Sequence, residues 1–442
     1  MDTRLPLLIL GGGAATLAAL VALTVSQAPL GSPLFFTLAA VPCIVYAFLL
    51  RRLLAGPTPV QPGSDSSRGV LIDPGRRLLI AALLLSVAFR VPLAVGRVGY
   101  DSDMVRYLYD GRLQRLGYNP FTVIPSDPAV AGTHTDDTRL MPSRNARTPY
   151  PAAAQLFFRF IVTLRESARA MRLALVACDL LTVGVLLAWL RSTRRSPWLA
   201  LVYAWNPLVL LEVAHSGHVD ALGALWIAVS AWMLSTGRGM RAMIAFVLAV
   251  ASKLVPIVLL PLFWKRVRPR DAAIAALVLA ALYFPFRSAG ALPLGAVPNV
   301  VAFIRFNGPL FKGLAAALTP DGAAAVALLA GLGLATWMRF TRPAEDPAAW
   351  AWPMAVSLAA APVIYPWYLL YLTPFLFTRA ALPLIVWTYS VLPVYVVWHL
   401  SRQGHRWIVP AWVMWIEYGV VLVGLMVLMV PRVLKGAGRP TS

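Results

Sequence analysis

The chain has 442 residues, of which 59% are hydrophobic and only 13% charged; soluble domains average about 45–50% and about 25%. That balance excludes a cytosolic enzyme, a secreted disulfide scaffold and a disordered chain, and makes the protein integral to a lipid bilayer. The formal charge of +21 would fit nucleic acid if the basic residues clustered, but they lie between apolar runs, where topology signals belong, so no nucleic-acid partner is expected.

Apolar segments fall near 5–26, 33–50, 77–96, 170–190, 197–213, 219–236, 242–264, 271–286, 321–338, 349–364, 367–378, 381–399 and 408–430. At roughly 20 residues per spanning helix, they predict an all-α integral membrane protein, a polytopic bundle of about 11–13 transmembrane helices with a long first outer loop. The first run follows a short Arg4 flank and exceeds the ~7–15 residues of a signal core, and a second run follows at once. A retained first helix is therefore expected. Five regions result: N-terminal helices in 1–96, an outer loop with amphipathic helices in 97–168, core helices in 169–286, a second outer loop in 287–320, and C-terminal helices in 321–442. Cys43 and Cys178 sit in separate apolar segments and read as small hydrophobes rather than as a disulfide or metal site.

Arginine placement sets the orientation. Arg51, Arg52, Arg76 and Arg77, then Arg191, Arg194 and Arg195, Arg238 and Arg241, Lys265 to Arg270, Arg339 and Arg342, and Arg432 and Lys435 mark the cytoplasmic connections. Alternation puts 97–150, 214–218, 287–320, 364–367 and 400–407 on the outer side. Residues 242–264 then begin and end inside, which predicts a short hairpin bent near Lys253 and Pro256. Residues 152–168 read as an amphipathic, interfacial or shallow helix. Irregular backbone at membrane depth is tolerated where it lines a cavity, so these breaks in the count point to a site.

The first outer loop concentrates acid: six of the chain's eighteen acidic residues lie between 101 and 137. Loops longer than about 15 residues are often functional. From Met104 to Leu116 the pattern is helical, Gly117 stops it, and Asn119-Pro120 turns the chain. Asp101 and Asp103, two residues apart on a turn entering this helix, can hold a divalent cation, or one can act as base while the other orients it. The plainer reading is a solvated pair capping the helix. Arg106 can grip a phosphate bidentately or pair with Asp103 or Asp110. Tyr107 and Tyr109 read as interfacial aromatics.

A second cluster, Glu212, His215, His218 and Asp220, falls at the outer end of one span and the start of the next. Charge at membrane depth is expensive and marks a functional cavity by default. His215 and His218 are spaced for a metal, but no third ligand is evident. A polar cap that hydrogen-bonds a hydroxylated or phosphorylated ligand fits better, beside satisfied interhelical bonding. Lys253, a lysine inside an apolar stretch, can meet a lipid phosphate or snorkel outward. Asp179 and Glu417 are expected to have structural partners. Tyr365 to Tyr368, with Arg402, His405 and Arg406, can shape the mouth of a cavity, and an aromatic belt explains the first group equally well. No Walker loop, dinucleotide fingerprint, HExxH or GxSxG is present, so an outward-facing enzyme would need a substrate delivered in the membrane.

The run YDSDMVRYLYDGRLQRLGYNPF resembles the first outer loop of polyprenyl-phosphate-sugar-dependent glycosyltransferases of the GT-C superfamily, in particular the bacterial mannosyltransferase-like group around glycosyltransferase family 87. Asp103, Arg106, Tyr107, Leu108, Asp110, Gly111, Arg112, Gly117, Asn119 and Pro120 match that loop. Asp-Ser-Asp stands where the group has adjacent aspartates, Tyr109 replaces a tryptophan, and Phe121 replaces a tyrosine. Tyr150-Pro151, Trp205-Asn206-Pro207, His218 to Ala221, Lys253-Leu254 with Pro256, and Pro366 to Tyr368 are similar to later elements, so the likeness spans roughly 97–370.

The resemblance implies transfer of a hexose, mannose first, from a polyprenyl-phosphate-sugar to a hydroxyl of a glycan or lipid-linked acceptor, with inversion. It places the site on the periplasmic or exterior face of a bacterial inner membrane. Asp103 or Asp101 would be the general base. Arg106, Lys253 and His218 would meet the donor phosphate, and Tyr107, Asp110, Arg112, Asn119, Tyr150, His215, Asp220 and Tyr368 the substrates. No cofactor is required, although a divalent cation on Asp101 and Asp103 stays open. A lipid-linked-saccharide flippase or secondary transporter is the alternative, since broken helices and intramembrane charges suit it too.

Overall fold

A computed structural model describes residues 4–55, 74–96, 103–141, 143–288 and 295–436. Among them no β-strand forms beyond isolated bridging pairs such as Phe306 with Val363; the rest is helix and loop. The first apolar runs form α1 (Leu5–Ser26), α2 (Pro33–Ala55) and α3 (Pro74–Val95), and the long loop that follows carries α4 (Asp103–Arg115) and α5 (Ala152–Leu164). Then come α6 (Ala168–Ser192), the broken α7 (Pro197–Ala204 with Pro207–His215), α8 (Asp220–Ser235), α9 (Gly239–Val250) and α10 (Pro269–Phe286). The second long loop holds α11 (Val297–Phe303) and α12 (Pro309–Ala317); α13 (Pro320–Thr341), α14 (Pro347–Ala359), α15 (Arg379–Arg402) and α16 (Ala411–Gly436) follow.

All thirteen apolar segments appear as helical elements. Eight helices among the described residues are long and apolar enough to span a membrane, and α7 makes a ninth if its two pieces count as one. The segments expected near 219–236, 242–264, 349–364 and 367–378 fold instead as short helices and 3₁₀ turns. The expected hairpin is α9, a turn at 251–254, and a 3₁₀ run at Val255–Phe263.

Lipid is the outer solvent, so apolar side chains face outward and charge is buried. Leu84, Leu277 and Trp415 are 65%, 70% and 80% exposed, whereas Arg90 and Asp179 are 1% and 0% exposed. The Arg90 guanidinium grips Asp179 on α6 with two nitrogens and donates to the carbonyls of Ser86 (2.6 Å) and Ala204 (3.0 Å). Thus the structural partner expected for Asp179 is an arginine on α3. Glu417 accepts from Asn307 Nδ2 (2.8 Å) and Trp387 Nε1 (2.7 Å).

The break in α7 follows from its sequence. Pro207 has no N–H to continue a helix and suits a first helical position. The Asn206 side chain caps that position by accepting from the Leu208 N–H at 2.9 Å, and the axis bends by 49°. Beyond it a π-turn over Leu210–His215 carries Glu212 and His215. α4 lies against α5 so closely that a Cβ at Gly111 would sit 2.7 Å from the Phe158 carbonyl oxygen. The α4–α5 pair packs on α6, α8 packs between α6 and α9, and α15 packs on α16.

Candidate active site

A cavity of about 1120 Å³ opens where the ends of these elements meet. Its walls come from the α1–α2 turn (Gln27 to Leu30), the start of α4 (Asp103), the α5 entry (Tyr150, Pro151), the α7–α8 turn, the 253–255 turn, α11, residues 363–368 and the end of α15. A drug-sized ligand typically fills about 300–1,000 Å³, so the space suits something larger.

Asp103 begins α4 and is half-buried on this wall. Among the described residues it is the one carboxylate on the lining. Arg172, Lys253, Arg402, His215 and His218 are the basic groups there. Two further carboxylates stand behind the cations. Lys253 Nζ lies 2.6 Å from Asp220 Oδ1 and 3.8 Å from the centre of the Tyr368 ring, so an acid and an aromatic face both hold it. The turn that carries Lys253 is itself pinned, because the Ala153 N–H at the start of α5 donates to the Ala251 carbonyl at 2.8 Å. The loop that carries α4 and α5 therefore docks on the turn that holds the lysine.

His218 is held in the same way. Its Nδ1 lies 2.8 Å from Glu212 Oε2, and Glu212 is fully buried. The imidazole stacks on Trp367 with centroids 4.0 Å apart, Trp367 stacks on Tyr365 at 4.4 Å, and Tyr365 on Phe306 at 4.4 Å. This column runs from the loop between α11 and α12 to the cavity. Burial opposes charge on His218, but the Glu212 carboxylate beside it, with Asp103 and Asp220 further off, leaves its pKa above the ordinary imidazole value. Between α4 and the α7–α8 turn, the Tyr107 hydroxyl accepts from the Val219 N–H at 3.3 Å, and its ring meets Tyr150 edge-on at 5.0 Å. Burial and the nearby Asp103 hold the Tyr150 phenol well above its usual range, so it stays a protonated donor.

Of the residues singled out from sequence, Asp103, Tyr150, His215, His218, Lys253 and Tyr368 meet on this cavity. Asp220 stands directly behind Lys253, and Tyr107 behind Tyr150. Arg106, Asp110, Arg112 and Asn119 are not on its wall. Arg106 Nε bonds Asp110 at 2.8 Å, and Arg106 Nη1 donates to the carbonyls of Ser143 and Ala146, so the pairing open for it in sequence is the one formed. Asp110 accepts from Gln155 at 2.9 Å. Arg112 pairs with Glu166 at 2.9 Å, and Asn119 bonds the Phe286 carbonyl at 2.8 Å. These four set the shape of the loop. Asp101 lies outside the described residues, and among those described no group of three or more His, Cys, Asp or Glu is placed to hold a metal ion.

Sequence reading missed Arg172, which lines the cavity while donating to the Leu93 and Gly96 carbonyls, and the cavity-facing Trp398 and Trp407. The signal for Arg172 was present, since an arginine within an apolar helix is a functional pointer. The tryptophans carried none that separates them from a membrane-interface belt.

Residues 14–267 match the family model described as alpha-(1->6)-mannopyranosyltransferase, N-terminal domain. Among solved structures the chain is similar to ArnT from Cupriavidus metallidurans in the apo state, at 14% identity over 80% of this chain and 76% of that one, with a TM-score of 0.43. No curated protein matches it.

Proposed function

The chain belongs to the alpha-(1->6)-mannopyranosyltransferase family, and from that premise we propose that it moves mannose from a polyprenyl-phosphate carrier to an acceptor hydroxyl on a glycan or lipid-linked saccharide, at the outer face of the membrane. The carrying observation is the pattern of charge on the cavity wall: among the described residues one carboxylate, Asp103, stands among basic groups, two of which, Lys253 and His218, have their counter-ions set back from the surface. Such a wall suits an anionic substrate and a single base.

In this reading an Asp103 oxygen takes the proton of the acceptor hydroxyl. The freed oxygen pair forms a bond to the anomeric carbon, and the bond from that carbon to the phosphate oxygen breaks. Polyprenyl phosphate leaves with the electron pair, its growing charge offset by Lys253 and His218. Inversion to an α-linked product requires a β-linked donor. Tyr150 and Tyr368 would hold sugar hydroxyls. The outer-face assignment is supported by the lining itself: 215–218, 297–304, 365–367 and 401–407 all fall in segments that arginine distribution assigns to the outside, and 253–255 is the tip of a hairpin whose ends that distribution puts inside.

Asp103→Asn in reconstituted vesicles tests this directly. Transfer from a polyprenyl-phosphomannose should fall by more than about a thousandfold, with the thermal melting of the detergent-purified protein unchanged. Activity within tenfold of wild type would remove Asp103 as the base.

A further inference from the structure

Glu212 has no role in the chemistry above, yet it is an acid buried to 0% exposure at membrane depth. A group so placed is costly unless paired. Its one charged partner among the described residues is His218, whose Nδ1 lies 2.8 Å from Oε2. Nδ1 is in ion-pair contact with the carboxylate, and its hydrogen bond runs to the backbone carbonyl of Glu212 at 3.3 Å; neither carboxylate oxygen of Glu212 has a hydrogen-bond partner among the described residues. One face of the imidazole is taken by Trp367 at 4.0 Å. The opposite nitrogen, Nε2, has no hydrogen-bond partner among the described residues and is not among their buried unpartnered atoms, and His218 lines the cavity. A carboxylate on one ring nitrogen fixes the tautomer and favours a proton on both.

We propose that Glu212 is a positioning residue that keeps His218 an imidazolium and aims its Nε2–H into the cavity, where it meets an anionic phosphate oxygen of the donor. This role rests on the donor reading above. It parallels the Asp220–Lys253 pair, with a difference that matters for testing. Lysine keeps its charge near neutral pH without help, whereas histidine with an ordinary pKa near ~6.5 does not. Losing Glu212 should therefore remove a charge, not merely a contact. The groups facing His218 are Glu212 and His215 from its own turn, Asp220 from α8 and Asp103 from α4. Removing the carboxylate in contact, Glu212, shifts the imidazole's titration to lower pH.

The experiment is steady-state transfer from a polyprenyl-phosphomannose by purified Glu212→Gln and His218→Gln in vesicles, between pH 5.5 and 8. Glu212→Gln should raise donor KM roughly tenfold to a hundredfold at pH 7.5, the range expected for one charge-assisted hydrogen bond, with acceptor KM unchanged. Lowering the pH should bring the donor KM of this variant back toward wild type, because solution protons then charge His218 without the carboxylate. His218→Gln should raise donor KM similarly but show no recovery at low pH. A merely structural Glu212 would lower kcat or the yield of folded protein without that pH-dependent rescue. An unchanged donor KM in Glu212→Gln, or an increase equal at every pH, overturns the proposal. Should Glu212→Gln fail to fold, an unchanged donor KM in His218→Gln overturns it equally. Wild-type protein that does not use a polyprenyl-phosphomannose at all would overturn the donor reading instead, and this role with it.

Discussion

Two clusters of buried charge, one under the loop that carries α4 and one on the cavity wall, are both built on acid–cation pairs and differ in what the cation faces. Under the loop, Arg106 meets Asp110 and two carbonyls, and the second oxygen of Asp110 takes Gln155, whose own oxygen takes Gln114. None of these side chains lines the cavity, and the network fixes the loop against α5. On the wall, Asp220 and Glu212 each occupy one side of a cation whose other side is open to the cavity. A buried ion pair alone is weak evidence for anything beyond structure. What separates the two clusters is whether the cation keeps a free face.

If that distinction holds, substitutions in the two clusters should fail in different ways. The largest effect on transfer among them belongs to Lys253. Lys253→Ala should lower kcat/KM for the lipid donor by about 10²–10³-fold, the usual cost of removing one charge stabiliser, and leave acceptor KM alone. Because the change strands the Asp220 carboxylate, Lys253→Ala with Asp220→Asn supplies the folding control. Unchanged donor kinetics in both would return Lys253 to packing and erase the contrast.

Arg106 should behave in the opposite manner. Arg106→Ala leaves Asp110 buried with only its neutral partner, and removing one member of a buried pair typically costs about 3–5 kcal/mol. Melting temperature and folded yield should drop clearly, while donor KM of the folded fraction stays within a fewfold of wild type. A selective rise in donor KM without loss of stability would put Arg106 back at the phosphate and break the comparison from the other side.

The fold was legible because lipid demands long apolar runs, and each of the thirteen runs is helical here. Their depth was less so. Hydropathy does not register that Pro207 splits one span, or that α8 stops after sixteen residues because its surroundings are protein. In the site, residues whose charge is unusual for its place were visible: Lys253, His218 and Asp220 stand out against apolar neighbours. Arg106, Asp110 and Arg112 stand in the same resembling loop as Asp103, and nothing in a linear pattern tells which residue of a helix faces a cavity. α4 turns Asp103 to the cavity and its other charges toward α5 and the loop, a division made by the close approach at Gly111. Arg90 went unread although it anchors α3 to α6, and Glu212 could not be paired with His218 until the π-turn brought them together.

The smallest effect is the sharpest check on where the working charges end. Arg112 shares the resembling loop with Asp103, yet its guanidinium bonds the Thr133 carbonyl at 2.8 Å and Glu166 at 2.9 Å, with about 30% of the side chain exposed. Arg115 also reaches Glu166, at 3.1 Å, so the carboxylate keeps a partner when Arg112 is lost. Partly exposed pairs contribute about 0–1 kcal/mol, and solvent can rehydrate both ends. Arg112→Ala should therefore shift melting by no more than a few degrees and leave both KM values and kcat within about twofold. Its resemblance to the family loop would then reflect the need to pin residues 133 and 166, which carry no chemistry. A hundredfold loss of transfer in a protein that still melts normally would mean that α4 presents a second charge to the substrate, and that an open face toward this cavity is not what makes a cation functional.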